Sequence, residues 1–519
     1  MVDLMHLGRA FLTLILALIA ALVLAALLVR PPDTDERPHD VAIPADVDTL
    51  LGRLMAAGLA EHPGKSGVTA LREASDALAS RLALIRAARH SIDAQYYIWH
   101  ADDSGTLMLG ALLDAARRGV RVRLLLDDIG VSGMDDALAA LDAQPNFEVR
   151  LFNPSMIRWA KLVSYAFDFS RMNRRMHNKA LIADGAAAIV GGRNIGDEYF
   201  RVADSGFFID LDVLATGAVV PETAAAFDRY WNSPSAIDVD EVLDRDVALD
   251  ALRGRVERIR GRPESAGLRA DPAISSARYI AGVLPLEWTD VQLVVDDPAK
   301  GRGEARRDQL LITRLAGILG RVEQGLDLVS AYFVPAGAGV AYLGGISGAD
   351  RRVRVLTNAM TTTDVVIVHA GYAKYRRALL AAGVELHELK AGEFTTSGAD
   401  VQVQPLGFSG ASLHTKAFSI DRERIFIGSF NFDPRSALFN CEMGFLIESP
   451  AMAARMSDAF DTRMLQVSYR PVLTSEGQVV WNERLPDGSV RTYETEPGTN
   501  AWQRAMIGLL GMLPIEWLL

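Results

Sequence analysis

From Phe11 to Val29 the chain reads FLTLILALIAALVLAALLV, nineteen apolar or uncharged residues between Arg9 and Arg30. That length crosses the hydrocarbon core as a helix. It exceeds the apolar part of a cleaved signal peptide and no small-x-small cleavage site follows it, so an uncleaved anchor over residues 1–30 is expected. Residues 31–48, rich in Pro and Asp, read as a linker. The acidic stretch after Arg30 favours a short inside tail with the body of the chain outside.

Beyond residue 49 the pattern changes. Residues 66–89 carry Leu and Ala at helical spacing, Ser91–Trp99 (SIDAQYYIW) reads as a strand, 105–118 as a helix, and Val120–Leu126 (VRVRLLL) as a buried strand closed by Asp127 and Asp128. Strands alternating with helices predict an α/β fold with parallel pairing and helices on the sheet faces. The same order returns later: DLVSAYFVP at 327–335 matches the segment around Tyr96, and RVRVLTN at 352–358 matches the strand before Asp127. A duplicated domain follows, with copies at 49–234 and 301–470, a connection at 235–300 and a C-terminal extension at 471–519. Two similar copies packed about a pseudo-two-fold axis bring equivalent residues to one cleft.

Composition adds limits. A chain of 519 residues is too long for one core, which agrees with two domains. The net charge of −11 argues against a sequence-independent nucleic-acid binder, so an anionic substrate must meet a local basic patch. Arg158, Lys161, Arg171, Arg174 and Arg175 are the candidates for that patch. The single cysteine, Cys441, reads as a small buried apolar residue. The tail AWQRAMIGLLGMLPIEWLL is too short to span a bilayer and is interrupted by Pro514; Trp502 and Trp517 would suit a membrane interface, and packing against the body fits equally well.

Chemistry enters through one repeated pattern. HNKALIADGAAAIVGGRN holds His177, Lys179, Asp184, Gly191, Gly192 and Asn194, and HTKAFSIDRERIFIGSFN holds His414, Lys416, Asp421, Gly428, Ser429 and Asn431. Both keep His-x-Lys-x4-Asp-x6-Gly-[Gly/Ser]-x-Asn without a gap. A lone His-x-Lys carries no information; two gap-matched copies in a duplicated chain do. Residues i and i+2 of a strand share a face, so each histidine emerges beside its lysine. Across the axis the two copies supply two imidazoles to flank one phosphate, two ammonium groups to neutralise it, and Asn194 and Asn431 to hold its oxygens. One histidine attacks phosphorus and the other moves the proton, in a reaction that is mostly positioning and charge stabilisation. The residues leave open which histidine attacks. No metal or other cofactor is expected, because the lysines supply the positive charge; Asp127, Asp128, Asp296 and Asp297 read as strand-end and turn residues.

The duplicated motif resembles that of the phospholipase D superfamily, over nearly the whole chain after the apolar run. The blocks DFSRMNRRMHNK, GGRNIGDEYF, DLDVLATG, FDRYWNS and VHAGYAKYRRALLAAGVELHEL resemble more closely the bacterial cardiolipin synthases of the C type. The resemblance implies two phospholipase D-like α/β domains around one active site, with His177, Lys179, Asp184, His414, Lys416 and Asp421 as its motif residues. It also implies a phosphatidyl-histidine intermediate, His177 as the usual nucleophile, and transfer of a phosphatidyl group from phosphatidylethanolamine to phosphatidylglycerol at the bacterial inner membrane. Phospholipase D hydrolysis, or other phosphodiester chemistry such as that of a nuclease, uses the same residues. Each imidazole needs a carboxylate on its other nitrogen; the family takes it from a strand after the motif, which points to Asp212 and Glu442. Asp184 and Asp421 then fix the local turn. Ser429 is a further phosphate ligand by the same resemblance, while Gly192 departs from the superfamily's usual serine as the C-type members do.

Overall fold

The computed structural model describes residues 2–516 except 35, 203–205, 244–247, 263–274, 321, 349–350, 392–410 and 514–515. Pro514 and Trp517 of the tail therefore lie outside the described residues. The apolar run forms part of one helix, Val2–Leu28, and its Phe11–Leu28 portion has a mean hydropathy of 3.0 with nothing buried against the rest of the chain. A helix with no polar face to turn to water and no core to join is long and apolar enough to cross a membrane.

Two large sheets carry the body. Among the described residues the first has nine strands, ordered Glu287–Thr289, Ser66–Leu71, Asp212–Gly217, Ala187–Gly191, Ala180–Ala183, Ser91–Tyr96, Arg121–Asp127, Phe147–Phe152 and Ala236–Asp238. The second has ten among the described residues and repeats that order from Val291–Val295 through Met443–Ile447, Arg424–Gly428, Lys416–Ile420, Gly325–Ser330 and Arg352–Asn358 to Glu385–Leu389. It is then extended by the hairpins of Ser468–Leu473, Val479–Arg484 and Val490–Tyr493.

Pairing is mixed rather than parallel throughout. Ser91–Tyr96, Arg121–Asp127 and Phe147–Phe152 pair in parallel, as the helices between them require. The motif strands Ala180–Ala183 and Ala187–Gly191 form an antiparallel hairpin instead, because only three residues separate them. Residues 66–89, expected as helix, split into the strand Ser66–Leu71 and the helix Ala74–Ala87. Pairing with Asp212–Gly217 and Glu287–Thr289, both distant in sequence, overrides the local helical spacing. Residues 235–300, expected as a connection, supply strands to both sheets.

Each sheet buries one face under its own helices: Leu78, Leu112 and Leu138 over Ile92 and Leu124 in the first, and Leu315, Leu343 and Leu379 over Leu328 and Val355 in the second. The other two faces meet in a shared core of Ile182, Val190 and Val213 from one half with Ala417, Ile427 and Phe445 from the other. That core fixes the halves against each other and sets their motif ends side by side.

Candidate active site

Each motif hairpin is anchored at the end far from its histidine. Asp184 and Asp421 begin the turns at φ 51° and 56°, followed by Gly185 and Arg422 at 59° and 61°, all in the left-handed region. Asp184 accepts the backbone N–H groups of Arg89, His90 and Ser91 at 2.7–3.1 Å. Asp421 does the same for Glu323, Gln324 and Gly325 at 2.7–3.1 Å. The motif aspartates thus tie each hairpin to the start of the central strand and do not touch the histidines.

The near ends cross between halves. Phe207–Ile209 pairs in parallel with Ala411–Leu413, and the ribbon continues as His414 N–H donates to Ile209 O at 2.8 Å. The mirror ribbon joins Met176 to Cys441, with His177 N–H donating to Cys441 O at 2.8 Å. Each histidine consequently meets a carboxylate from the opposite half: His177 Nδ1 lies 2.8 Å from Glu442, and His414 Nδ1 lies 2.6 Å from Asp210. Chemistry at either ring is left to Nε2.

Asp212, expected as one of the two orienting carboxylates, is elsewhere. Its buried carboxylate binds Arg81 at 2.9 Å and Arg193 at 3.2 Å. Strand register explains the two-residue difference. Gly192 N–H donates to Leu211 O as Ser429 N–H donates to Met443 O, so the residue before Leu211, not the one after it, answers Glu442. The sequence signal was present as the second candidate in IDLD, but only pairing to the preceding strand chooses between its aspartates.

The expected phosphate ligands are largely committed to the protein. Ser429 donates to Glu442 at 2.5 Å and accepts Met443 N–H, so its hydroxyl positions the carboxylate. Asn194 accepts Ile98 N–H at 3.2 Å and donates to Tyr199 at 2.9 Å, leaving at most one N–H for a ligand. Asn431 is buried with its side-chain oxygen unpartnered among the described residues. Gly192 also has a local cause: a Cβ there would lie 2.1 Å from Asp210 Oδ1. The half with the shorter carboxylate, Asp210, brings it against the backbone and needs glycine; the half with Glu442 has room for Ser429.

Lys179 and Lys416 are both buried, and each donates to the carbonyl of its own histidine, Lys179 at 2.6 Å. Lys416 Nζ also lies 2.8 Å from His414 Nδ1. Burial lowers both lysines, Lys416 to about 8, although Asp210 and Glu442 pull the other way. Burial and the adjacent lysines lower both histidines, His414 to about 4, so the rings are neutral near pH 7. Burial raises Glu442 to about 7 against the pull of Lys179, whereas at Asp210 burial is outweighed by Lys416 and His414, which hold it below the usual carboxylate range. Two buried cations and two weakly basic rings suit a phosphodiester anion.

Aromatic rings wall the site. Tyr97 lies edge-on to His177 at 4.9 Å, and Tyr199, Phe208 and Tyr332 surround His414 at 5.2, 4.8 and 6.4 Å. None of these was legible from the motif. The basic residues ahead of the first motif do not form a free patch: Arg158 and Lys161 bind Asp128, Arg171 binds Asp168, Arg175 binds Asp127, and Arg174 turns to Ser170. Asp296 is likewise taken by Lys300, and Asp297 caps a turn at Ala299. His100, Asp102 and Glu198 place ligand atoms within 4.8 Å of one another. Those atoms are already engaged, His100 with Glu198 and Asp102 with the N–H groups of Gly105 and Asp197.

Comparisons with known proteins give the family. The family profile described as "Cardiolipin synthase, PLD-like domain" matches twice, at residues 82–231 and 316–464. Cardiolipin synthase C of Escherichia coli (strain K12) is 44% identical over 467 residues, covering 88% of this chain and 97% of that protein. A cardiolipin synthase of Geobacillus kaustophilus is 26% identical, covering 75% of this chain and 64% of that protein. A phosphatidylserine synthase structure from Haemophilus influenzae superposes with a TM-score of 0.52 over 90% of this chain and all of that one, at 11% identity, and so shares the fold. With the family profile matched in both halves and the E. coli protein matched over 97% of its length, the chain belongs to the bacterial cardiolipin synthases of the phospholipase D superfamily and is an enzyme of the phosphatidyltransferase kind.

Proposed function

We propose that the enzyme makes cardiolipin by moving a phosphatidyl group from a donor phospholipid, phosphatidylethanolamine, onto a hydroxyl of phosphatidylglycerol. The carrying observation is the crossed pairing of His177 with Glu442 and His414 with Asp210 beside two buried lysines. Ionised Glu442 holds His177 with its proton on Nδ1, so Nε2 presents a lone pair and attacks phosphorus. The P–O bond to the headgroup breaks as the leaving oxygen takes a proton from His414, whose imidazolium Asp210 supports once the anionic substrate is bound. The acceptor hydroxyl then returns its proton to His414 and attacks phosphorus, and the P–N bond breaks. Lys179 and Lys416 neutralise the non-bridging oxygens throughout. No metal is required by this route.

The substrate is taken from the bacterial inner membrane, to which Val2–Leu28 anchors the chain. Support for a membrane-facing body comes from Trp159 and Leu162, 88% and 77% exposed in the segment ahead of the first motif. The printed name of the E. coli relative supports cardiolipin as product.

Incubation with labelled phosphatidylethanolamine, with and without phosphatidylglycerol, tests the reading. Labelled cardiolipin is expected only with both lipids. Phosphatidic acid alone, in either mixture, would make the enzyme a hydrolase.

A further inference from the structure

The two histidines differ in what surrounds them beyond lysine and carboxylate. Burial and the lysines lower the basicity of both rings, but the next charges have opposite sign: Arg435 adds to the lowering of His177, whereas Asp364, with Asp210, works against that of His414. Asp364 also bears on Lys416 and on Tyr199, whose ring stands 5.2 Å from His414.

Asp364 lies in the loop 359–365, between the strand Arg352–Asn358 and the helix Val366–Ala381. Asn358, at the end of that strand, accepts Leu413 N–H at 2.9 Å, which sets the loop beside the ribbon that carries His414. One carboxylate oxygen of Asp364 accepts the Tyr332 hydroxyl at 2.6 Å, and Tyr332 is one of the rings around His414. The other, Oδ1, is buried and has no hydrogen-bond partner among the described residues. A buried carboxylate oxygen without a donor is costly, so this one is a standing acceptor for a donor that a ligand brings. The other acids near His414 are committed: Asp210 to Nδ1 of the ring, Glu198 to His100 at 3.0 Å, and Asp433 to Ser436 N–H at 2.6 Å.

The first half lacks the counterpart of this pair. Phe333 bridges to Phe432 as Trp99 bridges to Ile195, so Tyr332 answers Ile98, which carries no hydroxyl to hold a carboxylate. In the proposed reaction His414 gives its proton to the oxygen of the departing headgroup. The nitrogen of ethanolamine is two carbons from that oxygen, so a carboxylate on the His414 side is within its reach.

We propose that Asp364 recognises the donor headgroup: its Oδ1 accepts a hydrogen bond from the ammonium of phosphatidylethanolamine and so favours a donor with a primary ammonium over one with a neutral headgroup. The inference rests on the reading of phosphatidylethanolamine as donor and adds the residue that selects it.

Full-length protein in detergent micelles, with phosphatidylglycerol held constant, is assayed on two donors: labelled phosphatidylethanolamine, and phosphatidyl-p-nitrophenol, which has the same phosphatidyl group and no ammonium. Asp364→Asn keeps an acceptor for Tyr332 and removes the charge. The ratio of kcat/KM for phosphatidylethanolamine to that for the p-nitrophenyl ester is expected to fall about 10–100-fold, and Asp364→Glu should restore part of it. An unchanged ratio overturns the proposal, including the case in which both donors slow equally, since Asp364 would then act through His414. Failure of the donor reading shows separately, as a wild type that forms no cardiolipin from the two lipids. The subsite is then decided by glycerophosphoethanolamine and glycerophosphoglycerol as inhibitors of p-nitrophenol release. About tenfold tighter inhibition by the first, lost in Asp364→Asn, is expected, and equal inhibition of wild type by both overturns the proposal.

Discussion

Asp210 Oδ2 lies 2.6 Å from Nδ1 of His414, across the boundary between the two halves of the chain, while Asp212 two residues later turns to Arg81 and Arg193. The two aspartates should respond differently to the same change. Asp210→Asn is expected to keep its melting temperature and lose about 10²–10⁴-fold in kcat, the range for a misdirected acid–base group. Asp212→Asn leaves two buried guanidinium groups short of an anion and should cost about 3–5 kcal/mol of stability. Thermal melts and kcat on both variants check this; a fully active Asp210→Asn enzyme would remove Asp210 from the mechanism.

The histidines can be separated by trapping. With labelled donor lipid and no acceptor, His414→Ala is expected to accumulate label on the protein at His177, because leaving-group departure is slowed less than resolution when no base remains to activate the acceptor. His177→Ala should carry no label, and neither variant should turn over. Label on His414 in the His177→Ala protein would reverse the assigned roles.

Activity should depend on pH from both sides. Glu442, raised to about 7 by burial, must be ionised to hold His177 in its nucleophilic tautomer, so kcat/KM rises as pH climbs through about 7. Lys416, lowered to about 8 by burial, must be protonated to hold phosphate, so kcat/KM falls as pH climbs through about 8. Lys416→Arg should move the alkaline limb upward while the acidic limb stays. A profile flat across both values counts against these assignments.

Gly192 and Asp210 should be coupled. A side chain at 192 would meet Asp210 Oδ1, so Gly192→Ser alone should lower kcat by displacing the carboxylate. Adding Asp210→Glu imports the arrangement of Ser429 and Glu442 from the other half. The double variant should be more active than Gly192→Ser, with a coupling of about 0.5–3 kcal/mol in a double-mutant cycle. Simple additivity would mean the two positions do not share this contact.

Asp184→Asn and Asp421→Asn should be stability variants. Each removes a carboxylate that accepts three backbone N–H groups, and each should cost about 1.5–3 kcal/mol with kcat nearly unchanged in the protein that remains folded. Denaturant unfolding with activity per folded molecule distinguishes this from a catalytic role.

The sequence by itself determined the apolar N-terminal helix, the duplication, the family, and the four residues His177, Lys179, His414 and Lys416 at the centre of the site. All of these are local: an apolar run long enough to span, a repeated order of elements, and i, i+2 spacing on a strand. Tertiary structure decided what depends on register and on contact between halves. It replaced Asp212 with Asp210 as an orienting carboxylate, because a strand pairs by its neighbour and not by its own composition. It turned Ser429 and Asn194 from expected phosphate ligands into supports for Glu442 and Tyr199, since buried polar groups bond to whatever the fold brings within reach. It also paired Arg158 and Lys161 with Asp128 and Arg175 with Asp127, aspartates distant in sequence from the basic cluster they neutralise. Spacing along the chain names the candidate groups; packing across the pseudo-two-fold axis chooses the partner of each.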